Sequence, residues 1–348
     1  MASISLCLIV KNEEQNLDHC LSSIEGIPDE IIIVDTGSTD RTKEIAAKWT
    51  QHIYDFEWID DFSAARNESF KYATQEYILW LDADDILTPE DKVKLEHLKN
   101  TLTEDIDAVS MNYEIPQDNS RKLISNTTRL RLLKRTKGFI WQGIVHEDLA
   151  TDETYHFIKS DITVTHTKVV NASGGNSSSR NMDIYERHLA KGYTFSTSDM
   201  LNYARECHSR KQYKQAIHYY ELCKDHPEIT LENRIFILHK LATCYVYNSQ
   251  TEKELELTLE ALSMDVPYPA FSCRMGEHFL KAGNLEAAIF WYRSAYLSPP
   301  GERYDWSVVD NVYHTWLPHQ QLSLCYQALG DKAQALHHQQ WAEFYSKR

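Results

Sequence analysis

The chain has 348 residues, with 36 Lys plus Arg against 51 Asp plus Glu, and a formal net charge of −15 at pH 7. An acidic chain with no basic run repels a phosphate backbone, which argues against nucleic acid as a partner. At 42% hydrophobic and 25% charged residues the composition is that of a globular protein, and the length suits two domains with separate cores.

The apolar run Ser5-Leu6-Cys7-Leu8-Ile9-Val10 is too short to span a bilayer, follows no basic leader and runs straight into Lys11-Asn12-Glu13. It reads as a strand, and no membrane span is expected. Seven cysteines, at positions 7, 20, 207, 223, 244, 273 and 325, form no CxxC pair and no zinc spacing; their odd count and scatter suggest reduced, buried thiols in a cytoplasmic protein.

The first half alternates strands and helices. After the strand over residues 3–10, residues 13–24 place Leu17, Leu21 and Ile24 on one helical face. Residues 30–35 form a second strand, apolar throughout, as in a parallel sheet covered on both faces. Thr36-Gly37-Ser38-Thr39-Asp40 is a turn before a short helix ending near Trp49. A third strand is expected over 52–56, a helix over 63–73 and a fourth strand over 77–81. That strand runs into Asp82-Ala83-Asp84-Asp85, and Thr88-Pro89-Glu90 then supplies a helix cap with proline at the first helical position. In such a βαβ sheet, ligands bind off the carboxyl ends of the strands.

Beyond about residue 195 the pattern becomes helix after helix. Small and aromatic residues recur as Ala204, Cys207, Ala216, Tyr220 and Cys223, then Ala242, Tyr245 and Ala261. A third unit reads Gly276, Phe279, Ala288, Tyr292, Ala295 and Pro299, and a fourth reads Tyr326, Ala335 and Ala342. The offsets between Cys207, Tyr245, Phe279 and Tyr326 are 38, 34 and 47, close to the roughly 34-residue period of tetratricopeptide repeats. The Pro299-Pro300-Gly301 break and the aromatic stretch through Trp316 account for the longest offset. Between the halves, the Ser/Gly/Asn run over 171–180 reads as a mobile loop. Domain boundaries are therefore expected at 1–195 and 196–348.

Asp82-Ala83-Asp84 is the sharpest chemical signal. Two carboxylates leaving a buried strand one residue apart can face one crevice, where hard oxygen ligands suit Mg²⁺ or Mn²⁺ bridging to a diphosphate. The alternative is a solvated acidic turn. Neither the dinucleotide fingerprint GxGxxG nor the P-loop is present. Instead the chain shows Val10-Lys11-Asn12-Glu13 after the first strand, Asp35 closing the second, and Asp60-Asp61-Phe62-Ser63-Ala64-Ala65-Arg66-Asn67 before the DxD strand.

Together these four motifs, over roughly residues 3–190, resemble the family 2 glycosyltransferases. The resemblance implies an α/β GT-A fold, a Rossmann-like mixed sheet flanked by helices, followed here by an all-α tetratricopeptide-like repeat domain. It implies that Val10, Lys11, Asn12 and Glu13 line the nucleotide pocket, that Asp35 accepts a hydrogen bond from the base, and that Arg66 reaches the base or diphosphate. Asp82 is expected near the ribose and metal, and Asp84 on the metal.

Two later segments complete the expected site. Glu147 and Asp148, in Trp141-Gln142-Gly143-Ile144-Val145-His146-Glu147-Asp148, occupy the position where inverting enzymes of this fold keep the catalytic base. Glu147 is preferred over Asp148, and His146 either orients the site or packs. His166, at the end of the strand over 162–166, is the expected third metal ligand, and Arg180 is expected to close over the diphosphate.

The function this implies is an inverting, metal-dependent transfer of sugar from a nucleotide sugar, a UDP-sugar above others, to an acceptor hydroxyl or thiol. The repeats would hold a peptide, protein or glycan acceptor. The pairing resembles bacterial glycosyltransferases with C-terminal tetratricopeptide repeats, including the peptide S-glycosyltransferases that modify bacteriocins. The alternatives are a repeat scaffold with a degenerate transferase domain, or a sugar nucleotidyltransferase, which lacks its usual Gly-rich basic loop here. Tyr304, Trp306, Tyr313 and Trp316 are either core under a capping helix or the surface of a homodimer.

Overall fold

The computed structural model describes residues 1–116, 123–167, 177–298 and 311–346. The chain forms two compact units, Met1–Thr194 and Phe195–Arg348.

Unit 1 is built on a mixed eight-stranded sheet. Its centre is β1 (Ile4–Val10), in which Ile4, Leu6, Leu8 and Val10 are buried on one face and Ser5 and Cys7 on the other. It pairs parallel with β2 (Glu30–Asp35) and β4 (Tyr77–Trp80), and β3 (Ile53–Asp55) continues parallel beyond β2. The other half changes direction. β7 (Leu123–Lys134) runs antiparallel to both β4 and β6 (Ala108–Pro116), while β10 (Phe157–His166) is parallel to β6. β5 (Asp85–Leu87) closes the edge antiparallel to β10, giving the order β3-β2-β1-β4-β7-β6-β10-β5. A separate two-stranded ribbon joins β8 (Ile140–Gln142) to β9 (Asp148–Ala150).

The helices of this unit are α1 (Leu17–Ser23), α2 (Thr42–Ala46), α3 (Phe62–Lys71), α4 (Pro89–Thr101) and α5 (Ser177–Ala190). α4 begins as its sequence dictates, with the Thr88 hydroxyl accepting from the Asp91 N–H at 3.2 Å and Pro89 in the first turn. α3 starts one residue earlier than its periodicity suggests, because the Asp61 carboxylate accepts from the Ala64 N–H at 2.9 Å and caps it. α1 starts four residues later than expected. Asn12 adopts a left-handed φ of 56°, so the chain turns before the helix can form. Residues 171–176 of the expected loop lie outside the described residues. Residues 177–180 are not loop but the first turn of α5, a helix whose Met182, Ile184 and Tyr185 are buried.

Unit 2 consists of helix–turn–helix pairs: α6 (Thr197–Ser209) with α7 (Tyr213–Cys223), α8 (Leu231–Tyr247) with α9 (Thr251–Met264), α10 (Pro269–Lys281) with α11 (Leu285–Leu297), and α12 (Trp316–Ala328) with α13 (Lys332–Ser346). The small residues of the repeat pattern are buried: Ala204, Cys207, Ala216, Ala242 and Ala288 expose no surface. Close approach is the reason. A Cβ built on Gly276 of α10 would lie 2.8 Å from the Tyr292 ring of α11. This is the tetratricopeptide-like helical repeat expected from the 34-residue spacing.

Tyr313 packs against the α10–α12 core, and Trp316 is half-buried at the start of α12; Pro299, Tyr304 and Trp306 lie outside the described residues. All seven cysteines are free and buried. Among the described residues no helix is long and apolar enough to cross a membrane.

Candidate active site

In unit 1 a cleft of about 840 Å³ opens over the carboxyl ends of β1 and β4. Of the residues singled out in the sequence, Val10, Lys11, Glu13, Arg66, Asp82, Asp84, His146, Glu147, Asp148, His166 and Arg180 line it, whereas Asn12 and Asp35 do not.

Asn12 and Asp35 shape the cleft's rim. The Asn12 side-chain oxygen accepts from the Thr39 N–H at 2.8 Å, and its own N–H donates to the Ser38 hydroxyl at 3.0 Å, tying the end of β1 to the turn after β2. Asp35 is buried, and its Oδ2 accepts from the Gly37 and Ser38 N–H groups at 3.1 and 3.0 Å. Its Oδ1 is buried with no hydrogen-bond partner. Glu13 lines the wall nearby; burial raises its carboxyl, and the charges of Asp84, Asp40 and Asp82 add to the rise.

The acidic turn after β4 is closed by the Asp85 N–H donating to the Asp82 carbonyl at 3.0 Å and the Asp82 N–H donating to Asp85 Oδ2 at 3.1 Å. Because β5 pairs antiparallel with β10, His166 stands directly opposite Asp85. The Thr167 N–H then donates to the Asp84 carbonyl at 2.7 Å, locking the turn to the strand end. As a result His166 Nδ1 lies 3.4 Å from Asp84 Oδ1 and 3.5 Å from Asp85 Oδ1. Hydrogen bonding to Asp84, then Asp85, pushes the imidazole up to about 10.

One ligand atom each from Asp84, Asp85 and His166 lie within 4.8 Å of one another. Two carboxylates and an imidazole are a donor set that fits Mn²⁺, and the charge that holds a proton on the ring also attracts a divalent cation. Asp82 is not part of this group. Its Oδ1 accepts from Arg66 Nη2 at 2.7 Å. Burial would raise the Asp82 carboxyl, but the charges of Arg66 and then Arg131 outweigh it and hold it at about 2.

Arg66 is shared between two carboxylates, for its Nε also donates to Glu147 Oε1 at 2.6 Å. Its guanidinium lies 5.1 Å from the Trp80 ring and 4.9 Å from the Trp141 ring. Glu147 belongs to a loop between β8 and β9 rather than to a strand, so strand alternation does not decide which carboxylate faces the cleft. Glu147 is half-buried beside Arg66, and Asp148 is exposed at the cleft wall. Arg180, at the start of α5, is exposed, with its guanidinium 5.0 Å from the Phe62 ring.

Several site residues escaped the sequence reading. Asp85 was in view but read as part of a turn; it is fully buried, and its Oδ2 lies 3.0 Å from Arg131 Nη2. Arg131 and Arg129 come from β7, a strand not recognised from the sequence because charged and apolar residues alternate along it. That alternation, Arg129-Leu130-Arg131-Leu132, was the available signal. Tyr113, on β6, reaches His166 Nδ1 at 3.1 Å through its hydroxyl.

Residues 5–163 match the model of the family described as Glycosyl transferase family 2. The chain is 48% identical over 90 residues to a TPR repeat-containing protein of Synechococcus elongatus, covering 26% of this chain and 22% of that protein. It is 35% identical over 150 residues to the SPbeta prophage-derived glycosyltransferase SunS of Bacillus subtilis, covering 42% of this chain and 34% of SunS. The chain thus spans about a fifth to a third of the length of these curated relatives. Among solved structures it is similar to glucosyl-3-phosphoglycerate synthase from Mycobacterium tuberculosis in complex with Mn²⁺ and UDP-glucose, at 15% identity and a TM-score of 0.37, covering 56% of this chain and 81% of that one. Residues 5–163 are a glycosyl transferase family 2 domain, in a chain that continues into a tetratricopeptide-like helical repeat.

Proposed function

We propose that this chain transfers a sugar from a nucleotide sugar to an acceptor hydroxyl or thiol by a single inverting displacement that depends on a divalent cation. The observation that carries the reading is the meeting of Asp84 and His166, with Asp85 buried behind them, at a cleft that Glu147 and Asp148 also line. The family 2 domain supports it, as does a relative that is itself named a glycosyltransferase.

UDP is the expected nucleotide. The unpartnered Asp35 Oδ1 suits the N3–H of a uracil, while Val10, Lys11 and Glu13 line the pocket and Asn12 braces it through Thr39. Asp84 and His166, with Asp85 behind them, would hold Mn²⁺ or Mg²⁺, which supplies positive charge beside the departing diphosphate. Arg180, exposed over Phe62, and Lys11 add charge from the chain itself.

The base is assigned to Asp148. Glu147 was preferred on sequence, but its Oε1 is taken by Arg66, and an oxygen bound to a guanidinium is poorly disposed to accept an acceptor's proton. Asp148 abstracts the proton as the acceptor oxygen or sulfur attacks the anomeric carbon and the nucleotide diphosphate leaves from the opposite face. The repeat unit is assigned the acceptor, a peptide, protein or glycan, because stacked helical hairpins present a groove suited to extended chains. A homodimer and a cytoplasmic location belong to the same reading.

The test is turnover of UDP-glucose, UDP-galactose and UDP-N-acetylglucosamine with Mn²⁺, then with EDTA. Metal-dependent release of UDP from one of them supports the reading. Silence toward all three, with the GDP and dTDP sugars also untouched, leaves the non-catalytic scaffold as the better account.

A further inference from the structure

Arg66 touches both halves of the cleft. Its Nη2 meets Asp82 at the end of β4 at 2.7 Å, and its Nε meets Glu147, ahead of β9, at 2.6 Å. The side chain is only 11% exposed and lies against the indoles of Trp80 and Trp141, which pack edge to face with each other. A guanidinium grips a diphosphate best with two parallel N–H bonds along one edge. Here the Nε–Nη2 edge is already committed to two different carboxylates. Its single positive charge is outnumbered by them, so Arg66 offers no surplus charge to a diphosphate.

The same helix sutures the loop that carries Glu147 and leads into Asp148 at the start of β9. The Asn67 amide donates to the Trp141 carbonyl at 2.9 Å and accepts from the Trp141 N–H at 2.7 Å. The Ser63 hydroxyl donates to the Gly143 carbonyl at 2.5 Å, and the Phe62 N–H donates to the Ile144 carbonyl at 3.1 Å. The loop needs such ties, because His146 has a left-handed backbone, with φ of 57°. Those backbone ties reach residues 141–144. Of the α3 side chains that bind this loop, Arg66 reaches furthest along it, to Glu147 beside the base.

We propose that Arg66 is a positioning residue: by bridging Asp82 and Glu147 it fixes residues 145–148, and with them the Asp148 carboxylate, to the donor side of the cleft, rather than binding the diphosphate itself. The proposal rests on the transferase reading above. Lysine at this position carries the charge but cannot hold two carboxylates in one plane, so it restores the bridge only in part.

The test uses the full chain as wild type, Arg66→Gln, Arg66→Lys, Glu147→Gln and the double variant Arg66→Gln/Glu147→Gln. Hydrolysis is followed on whichever of the three UDP-sugars above the wild type turns over fastest, and UDP affinity with Mn²⁺ is read by calorimetry. Arg66→Gln should lower kcat about 100-fold, as expected for a misplaced reacting group, while UDP affinity and donor KM stay within about threefold. Arg66→Lys should recover part of kcat, and Glu147→Gln should add no more than about a twofold loss in the Arg66→Gln background. UDP affinity falling as far as kcat, or an unchanged kcat, overturns the proposal.

Hydrogen exchange in UDP-free protein decides the bridge without activity. Residues 142–148 should exchange about tenfold faster in Arg66→Gln, with β1 unaffected. Unchanged exchange there overturns the proposal even if no UDP-sugar is turned over, which is the separate failure of the transferase reading. If β1 also opens in Arg66→Gln, the comparison is made on Arg66→Lys, with the same two outcomes.

Discussion

Arg131 Nη2 lies 3.0 Å from Asp85 Oδ2, and neither side chain exposes any surface. The contact is Coulombic rather than an aligned hydrogen bond, since Nη2 finds no acceptor in hydrogen-bonding geometry. The guanidinium is held instead by the Trp80 ring at 3.8 Å, the Tyr113 ring at 4.8 Å and the Trp80 carbonyl, to which Nη1 donates at 3.3 Å. The pair thus forms the floor beneath Asp84 and His166. Arg131→Met removes one partner of a buried ion pair and leaves Asp85 only the His166 imidazole as a cationic neighbour, which should cost about 3 kcal/mol in denaturant unfolding. A loss under about 1 kcal/mol would show that the pair does not organise the floor.

The assignment of the base separates two adjacent carboxylates. Asp148→Asn should lower transfer by about 10² to 10⁴, the usual contribution of general base catalysis. Glu147→Gln keeps a hydrogen-bond acceptor for Arg66 and should cost about tenfold or less in kcat. Steady-state kinetics of both variants on the same donor checks this. The reverse ranking would return the base to Glu147.

In the repeat unit, Gly276 faces the Tyr292 ring so closely that a methyl group would sit 2.8 Å from it. Tyr292 is 1% exposed and packed with Ala288, Ala295 and Cys325, so the ring has little room to retreat. Gly276→Ala should therefore destabilise unit 2 by about 1 to 3 kcal/mol despite alanine's better helix propensity. Thermal unfolding reads the sign directly, and a stabilised variant would mean that the α10–α11 packing is looser than described.

Unit 2 also carries a pH dependence of its own. His319 and His338, both buried, place their Nδ1 atoms 2.9 Å apart between α12 and α13. Burial pushes each ring down to about 4, with His337 adding to the effect on both, and His319 and Arg293 adding to it on His338. In the unfolded chain such rings titrate near 6.5. Between those values the unfolded chain binds protons that the folded one refuses, so the stability is present above about 6.5 and is lost as pH falls toward about 4. Each ring is worth up to about 3 kcal/mol. Denaturant midpoints at neutral and mildly acid pH should show a fall that His338→Phe reduces; equal falls in the two proteins would contradict it.

The sequence was most legible where one element carries its own signal. β1, β2 and β4 are continuous apolar runs, Thr88-Pro89 marks its helix start by itself, and the buried Ala and Cys positions of the repeats recur at a readable spacing. What escaped depends on pairing across long separations. Asp85 meets His166 only because β5 lies against β10, and Arg131 reaches Asp85 only through a strand whose alternate charges look solvent-facing in one dimension. The family resemblance places Arg66 at the base or diphosphate. That its edge is shared by Asp82 and Glu147 follows from α3 lying against the β8–β9 loop, which no local pattern encodes.

The central claim is a donor site organised by Asp84, and calorimetric titration of the full chain with UDP tests it most directly, in Mn²⁺, in EDTA and on Asp84→Ala. The account predicts binding in the micromolar range, about −8 kcal/mol, that requires Mn²⁺ and that Asp84→Ala abolishes. Binding that survives both EDTA and the substitution would contradict the metal-organised site, and absence of binding under every condition would contradict the donor site itself.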